Sequence, residues 1–238
     1  MEMHQIIIFF VVAGLASSAI ILFAMSKSRI KQKQLEEYAL SQEWDYEYKG
    51  AQGHVGNLTV ISSPLEQWRL SMYFNSSSTG EAGTSIKQWS EFSCPDGKLE
   101  EGLAILGPAL PQKTIQVLNQ GSLGPLGFII KKLMFEFVNG MGIDIDDCKL
   151  VEQEQSDERG AVFATAGNEQ AVDTFKSLRE LSQAKSGKNE MQQPVVYRDT
   201  DGTKVRLRHK LKSVEELNAF INLCVAIQKR AQQLDKPI

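Results

Sequence analysis

Five basic residues fall close together near the C-terminal end of the chain: Lys204, Arg206, Arg208, Lys210 and Lys212. Successive side chains of a strand point to opposite faces, so the first four share one face while Val205, Leu207 and His209 share the other. Several fixed cations in a row sum their potential and attract anions. The stretch predicts a surface that recognises phospholipid headgroups, an acidic partner or RNA. A solvated strand face, whose charges discourage edge aggregation, fits the same pattern.

A second basic group directly follows a charge-free apolar run, Ile6–Met25. Its members are Lys27, Arg29, Lys31 and Lys33. About 20 apolar residues suffice to cross a hydrocarbon core of about 30 Å, so the run predicts a transmembrane helix. Lys and Arg beside a span stay on the cytoplasmic side. We therefore expect a single-pass membrane protein with its N-terminus outside and its C-terminal domain in the cytoplasm. The basic group either only sets this topology or also rests on anionic headgroups.

Small residues form one face of the apolar run: Ala13, Gly14, Ser17 and Ser18. Such a face lets helices approach closely and dimerise or dock in a membrane, although small residues also occur there by chance. A cleaved signal peptide fits less well, because no basic residue precedes the run.

Metal-binding and disulfide chemistry find little support in the sequence. The cysteines are Cys94, Cys148 and Cys224, and the histidines are His4, His54 and His209. The cysteines are odd in number and widely spaced, which favours reduced thiols over a disulfide framework. The same scatter provides no metal-ligand spacing. Asp144, Asp146 and Asp147 do not make a calcium loop, since Lys149 and Gln155 stand where that loop needs glycine and glutamate. We expect no metal and no cofactor.

Catalytic signatures are also absent from the sequence. It contains no nucleophile-elbow motif, no zinc-protease motif and no paired carboxylates in a recognisable arrangement. A net charge of -3 argues against bulk nucleic-acid binding. We therefore expect a protein that is not an enzyme and binds no nucleic acid.

The elements that would position these residues predict an α+β fold: one N-terminal transmembrane helix, then a cytoplasmic domain of antiparallel strands and three or so amphipathic helices. Strands are indicated by alternating apolar residues from Trp44 onward, and a hairpin by Asp201-Gly202. Ser213 with Glu216 forms a capping box before the last helix. The predicted divisions are a 1–26 anchor, a 27–43 helical stalk, a 44–143 β-rich half and a 144–238 β-β-α-β-β-α half.

The most apolar segment after the anchor predicts a helix at about 125–139. Burial in the core explains its composition. Two alternatives remain open, namely contact with a membrane surface and anion binding at the glycines before it.

The order of elements resembles bacterial membrane-anchored proteins of unknown function that place one span before an α+β cytoplasmic domain. The resemblance depends on the strands around LTVISSPLEQWRLSMYF, the EEGLAILGP turn and the closing VYRDTDGTKVRLRHKLKSVEELNAFINLCVAI. It implies a location in the inner membrane of a bacterium and no reaction. The resulting hypothesis is a non-catalytic module that binds a partner protein, a membrane complex or a second copy of itself. The alternative is an anionic-lipid-binding module that uses both basic groups.

Overall fold

The computed structural model describes residues 18, 22–23, 26–51, 56–78, 84–107, 149–152, 162–165, 167–168 and 194–234. The predicted helix at about 125–139 lies outside these residues. So do Ala13, Gly14 and Ser17 of the small-residue face.

Four consecutive strands begin the described sheet. They are β1 (Asp45–Lys49), β2 (Asn57–Ser63), β3 (Trp68–Ser78) and β4 (Thr84–Cys94). Each pairs antiparallel with the next. Alternation explains their stability, because Leu70 and Met72 point to one face of β3 and are buried, while Arg69 points to the other and is exposed.

Five further strands complete a nine-stranded sheet in the order β1-β2-β3-β4-β9-β8-β5-β7-β6. They are β5 (Ala104–Leu106), β6 (Lys149–Glu152), β7 (Val162–Ala164), β8 (Val195–Asp199) and β9 (Gly202–Leu207). All of their pairings are antiparallel. The hairpin predicted around Asp201-Gly202 joins β8 to β9. Gly202 has φ 139°, which side-chain-bearing residues rarely adopt.

Two helices accompany the sheet in the described residues, α1 at 26–41 and α2 at Val214–Leu234. Leu35 and Ala39 of α1 belong to the same buried cluster as the apolar face of α2 and one face of the sheet. The capping box is formed: Ser213 Oγ accepts a hydrogen bond from the Glu216 N–H at 3.2 Å. Glu216 Oε2 in turn accepts one from the Lys212 N–H at 2.8 Å, which fixes the chain as it enters the helix.

Aromatic rings connect α1 to the centre of this core. Tyr38 of α1 lies edge-on to Trp44 at 5.9 Å between centroids, and Trp44 lies edge-on to Trp68 at 5.0 Å. Trp68 stacks on Phe92 at 5.5 Å. Pairs in these arrangements contribute about 0.5–1.5 kcal/mol each beyond their buried area. The C-terminal half of α1 is therefore held on the sheet.

The prediction of a transmembrane helix is corrected by the described structure. Within the described residues, no helix is long and apolar enough to cross a membrane. Charged residues interrupt both described helices, because α1 contains Lys27 and Arg29 and the 21 residues of α2 include Glu215, Glu216 and Lys229. Of the run Ile6–Met25, only residues 18, 22 and 23 are described. The description as a single-pass membrane protein is corrected accordingly, whereas the cellular localisation and the orientation of the termini are not tested and stay predictions.

The predicted number of helices is wrong for the described part of the chain. Three or so amphipathic helices were expected after the anchor, and the described ranges contain α1 and α2. The segment predicted as a stalk lies mostly in α1. Its residues Leu35 and Ala39 are 5% and 0% exposed, because they pack on the sheet.

Replacing a core leucine tests this packing. Leu70 is fully buried, so Leu70→Ala should lower the free energy of unfolding by about 2–5 kcal/mol through lost burial and a residual cavity. The matched change Leu65→Ala, at a residue 85% exposed, should cost less than about 0.5 kcal/mol. Urea denaturation of the full chain measures both. Equal effects of the two changes would contradict the described core.

Candidate functional site

The structure divides the predicted basic stretch into two groups. Strand β9 ends at Leu207, and its apolar residues Val205 and Leu207 belong to the core on the helix side. Lys204 and Arg206 therefore lie on the opposite face of the sheet. Lys210 and Lys212 follow the end of the strand, where the alternation no longer applies, and line a pocket beside α1. The single cationic ridge that the sequence predicts is thus not formed.

Lys204 is held by the β8–β9 hairpin. Its Nζ donates hydrogen bonds to Asp199 Oδ2 at 2.6 Å and Asp201 Oδ2 at 3.1 Å, and lies 5.6 Å from the centroid of the Tyr197 ring. Burial lowers the pKa of Lys204, but the bonds to the two aspartates outweigh it, so the pKa is raised overall. Two carboxylates already neutralise this cation.

Arg206 is enclosed in a second cluster, where only 5% of its surface is exposed. Its guanidinium carbon lies 4.6 Å above the Trp89 ring, and Nη1 lies 3.6 Å from Glu91 Oε2. The Tyr197 hydroxyl donates a hydrogen bond to the same Glu91 oxygen at 2.9 Å. Burial lowers the pKa of Arg206 and is opposed by Glu91. Arg206 is thus part of the folded interior, and an anion in solution does not reach its guanidinium group.

The remaining basic residues that the sequence singled out differ in their burial and in their partners. Arg208 is half-buried, while Lys27 and Arg29 are exposed on α1. Lys33 pairs with Glu37 at 3.4 Å between exposed side chains. Lys31 alone of the 27–33 group lines the same pocket as Lys210 and Lys212. Ser18, the described member of the small-residue face, is exposed.

The pocket that these lysines share has a volume of about 250 Å³. We call it the lysine pocket. It is bounded by α1, by strands β1 to β3 and by residues 210–212. Its lining residues are Ser28, Lys31, Gln32, Leu35, Tyr46, Tyr48, Asn57, Thr59, Phe74, Lys210, Leu211 and Lys212.

The lysine pocket is electropositive. No aspartate or glutamate is among its described lining residues. Lys31, Lys210 and Lys212 form no ion pair with any part of the chain that the structure describes. Burial lowers the pKa of Lys210, because the charged ammonium is partly removed from water. The three ammonium groups are therefore unpaired within the described protein, although two carboxylates lie near the pocket. Glu36 adds to the burial that raises the pKa of Tyr46, and Glu216 accepts the Lys212 N–H.

Tyrosine hydroxyls provide further polar groups at this pocket. The Tyr46 hydroxyl is buried near Gln32 and Thr59 but has no well-formed hydrogen bond to a described residue. Burial raises its pKa to about 12, so it remains a neutral donor. The Tyr48 hydroxyl donates to Asn57 Oδ1 at 3.2 Å, and this oxygen also accepts the Ala51 N–H at 2.7 Å. Ammonium groups and a neutral hydroxyl donor together suit an anionic ligand.

Ser90 positions the segment that carries two of the lysines. This fully buried serine of β4 donates a hydrogen bond to the His209 carbonyl at 2.8 Å and accepts one from the Leu211 N–H at 3.1 Å. Leu211 is itself 2% exposed. The backbone between Lys210 and Lys212 is therefore anchored to the sheet, and their side chains start from fixed points.

A larger hollow of about 480 Å³ lies at the other end of these strands. Its basic residues are Arg69 and Lys204, and Asp201 is also in its lining. Because Lys204 is bound to Asp199 and Asp201, the hollow presents less uncompensated charge than the lysine pocket. It includes Cys94, which is only 5% exposed.

The described thiols are buried, and burial disfavours their thiolate form. Cys94 and Cys224 are free cysteines, and burial raises the pKa of Cys94 from 9.0 to about 12 and that of Cys224 well above 9.0. Cys148, His4 and His54 lie outside the described residues. In the ranges that the structure covers, no group of three or more metal-ligating side chains occurs.

Comparison with known proteins gives no further assignment. No protein-family model, curated protein or solved structure matches the chain. What the domain binds is therefore inferred from its own residues.

The sequence indicated the lysines of the pocket but not its other members. Tyr46 and Tyr48 were recognised only as strand residues, and Ser90 carried no signal. Their positions at the pocket follow from the register of β1 on β2 and of β4 on β9, which brings distant residues together. Alternation within β1 shows only that the two tyrosines share a face.

Removal of the Glu91 charge tests the structural cluster around Arg206. Glu91→Gln should lower the free energy of unfolding by about 3 kcal/mol, because it leaves a buried guanidinium without its counter-charge. Glu47 pairs with Lys49 at 3.1 Å between exposed side chains, so the matched Glu47→Gln should cost less than about 1 kcal/mol. Denaturant titration measures both variants. A Glu91→Gln protein as stable as the parent would show that Arg206 does not depend on this carboxylate.

The buried thiols also predict the alkaline limit of stability. The Cys94 pKa is raised on folding, so the unfolded state loses its proton first as the pH rises. The stabilisation is complete below the unfolded pKa of about 9.0 and disappears as the pH approaches about 12. Free energies of unfolding should thus be level near neutral pH and fall above it. In Cys94→Ala the fall should be shallower, and an unchanged slope would contradict this assignment.

Proposed function

We propose that the domain is a non-catalytic interaction module that binds an acidic segment of a partner protein at the lysine pocket. The observation that carries this proposal is the convergence of Lys31, Lys210 and Lys212 on one pocket without a carboxylate in its described lining. Lysine side chains from α1 and from the segment after β9 meet there. An acidic segment supplies the ion-pair partners that these three lysines do not find among the described residues.

The size of the lysine pocket favours side chains over a whole small molecule. Ligand sites for small molecules and cofactors commonly have about 300–1,000 Å³, whereas this pocket has about 250 Å³. A pocket of that size accommodates one or two side chains of a larger partner. The lining combines apolar surface from Leu35 and Phe74 with the three ammonium groups, which suits a carboxylate on an aliphatic stem.

The three lysines are expected to contribute unequally to the affinity for an acidic segment. Lys31 and Lys212 are exposed, and an exposed ion pair contributes only about 0.2–1 kcal/mol. Lys210 is half-buried, so a partner carboxylate reaches it in a less screened environment. We therefore expect moderate affinity, with association rates that fall as the salt concentration rises.

Anionic-lipid binding is the second candidate function. The observation that favours it is the meeting of Lys31, from one predicted basic group, with Lys210 and Lys212, from the other. The engagement of Lys204 and Arg206 by carboxylates speaks against a broad lipid-facing ridge. Sedimentation with phosphatidylcholine vesicles, with and without phosphatidylserine, separates the two candidates. Serine-lipid-dependent sedimentation without peptide binding would replace the protein-partner proposal with the lipid one.

Charge reversal tests the proposed function directly. The probe is a fluorescent peptide in which Glu and Thr alternate, and its neutral control has Gln at each Glu position. Binding of the acidic probe to the full chain should weaken at least about tenfold in the triple variant Lys31→Glu, Lys210→Glu, Lys212→Glu, a loss of about 1.4 kcal/mol. Fluorescence anisotropy at low and high salt measures the affinity of each peptide for each variant.

A second triple variant controls for net charge. Lys87, Lys98 and Lys229 are exposed lysines outside the lysine pocket. Reversal of all three changes the net charge by the same amount and should leave binding within about twofold of the parent, since distant exposed charges are screened by salt. Equal losses in the two triple variants, or equal binding of the acidic and neutral peptides, would refute the proposal.

A further inference from the structure

Strand β1 is the terminal strand at one end of the described sheet. It pairs with β2, and its other edge has no partner among the residues that the structure describes. Asp45, Glu47, Tyr48 and Lys49 are exposed, and Tyr46 is half-buried. An uncovered edge offers a row of backbone N–H and C=O groups to an added strand.

The open edge and the lysine pocket adjoin one another. Tyr46 and Tyr48 of β1 line the pocket. Since side chains alternate along a strand, Asp45, Glu47 and Lys49 point to the other face of the sheet. Helix α1 contributes Lys31 to the pocket wall, and four of the five residues of β1 are exposed.

We infer that the acidic partner segment binds as an extended strand added to the edge of β1 that no described strand occupies, with alternate acidic side chains directed to the lysine pocket. This inference rests on the proposed function and specifies its binding mode. Backbone hydrogen bonds to β1 hold the segment, and its pocket-facing side chains select it. Side chains two residues apart lie about 6.6 Å apart on one face of a strand, so neighbouring acidic residues of the segment follow the same alternation as Tyr46 and Tyr48.

The two faces of β1 impose opposite requirements on the partner. The pocket face is bordered by Lys31, Lys210 and Lys212 and attracts carboxylates. On the other face Asp45 and Glu47 repel them, and the pairing of Glu47 with Lys49 at 3.1 Å occupies the one cation of β1. Like charges directly opposite each other destabilise a strand pair. The expected segment therefore alternates acidic residues with neutral or basic ones, instead of being acidic throughout.

Backbone methylation tests the added strand. An edge-bound strand uses the N–H groups of every second residue, while the others point away. Two versions of the alternating Glu–Thr peptide are compared, one N-methylated at the Glu residues and the other at the Thr residues, each long enough to pair with all five residues of β1. Against the full chain, one version should lose affinity at least about tenfold and the other should stay within about twofold of the parent peptide.

The outcomes separate this inference from the proposed function. Lysine-dependent binding that both methylated peptides retain, or that both lose equally, overturns strand addition and leaves the acidic-segment proposal standing. No binding of the unmethylated peptide overturns both. An all-Glu peptide gives a second readout: face-selective strand addition predicts that it binds no tighter than the Glu–Thr peptide, despite its larger charge. Tighter binding in proportion to charge would contradict the added strand.

Discussion

The pairing of β4 with β9 is the constraint on which the described structure depends. It joins strands far apart in the sequence, with Ser90 opposite Leu207 and Phe92 opposite Val205. One face of this pair supplies Phe92, Val205 and Leu207 to the core beneath the two helices. The other face brings Glu91 beside Arg206. Where β9 ends, Ser90 also binds the backbone on both sides of residue 210. The same pairing thus fixes the core, the charged cluster and the lysine pocket.

This pairing explains why neighbouring cations in the sequence have different environments. Within β9, alternation directs Lys204 and Arg206 to one face, where Asp199, Asp201 and Glu91 accompany them. After Leu207 the chain leaves the strand and crosses toward α1. Lys210 and Lys212 then meet Lys31 instead of continuing the row. Lys204 and Arg206 are thus paired with carboxylates of the fold, whereas Lys31, Lys210 and Lys212 form no ion pair with a described residue.

The sequence predicted local features more accurately than the positions they occupy. The Asp201-Gly202 hairpin and the Ser213 capping box depend on a few adjacent residues, and both are present. The transmembrane helix and the count of helices are corrected by the described structure. The cationic ridge failed as a prediction because alternation was extended beyond the end of the strand. The lysine pocket could not be predicted from the sequence, since its lysines and tyrosines meet only through long-range strand pairing and the docking of α1.

The binding proposed for the lysine pocket depends on preorganisation. Placing an ammonium group in a partly buried site disfavours its charged form, which is visible in the lowered pKa of Lys210. The folded chain bears this desolvation before any ligand arrives, and Ser90 has already fixed the backbone beside Lys210. A carboxylate that enters then meets charges and a neutral Tyr46 hydroxyl in positions that need little rearrangement. The backbone beside Lys210 is thus ordered in advance, and the cost that remains for the proposed binding is the ordering of the exposed Lys31 and Lys212 side chains.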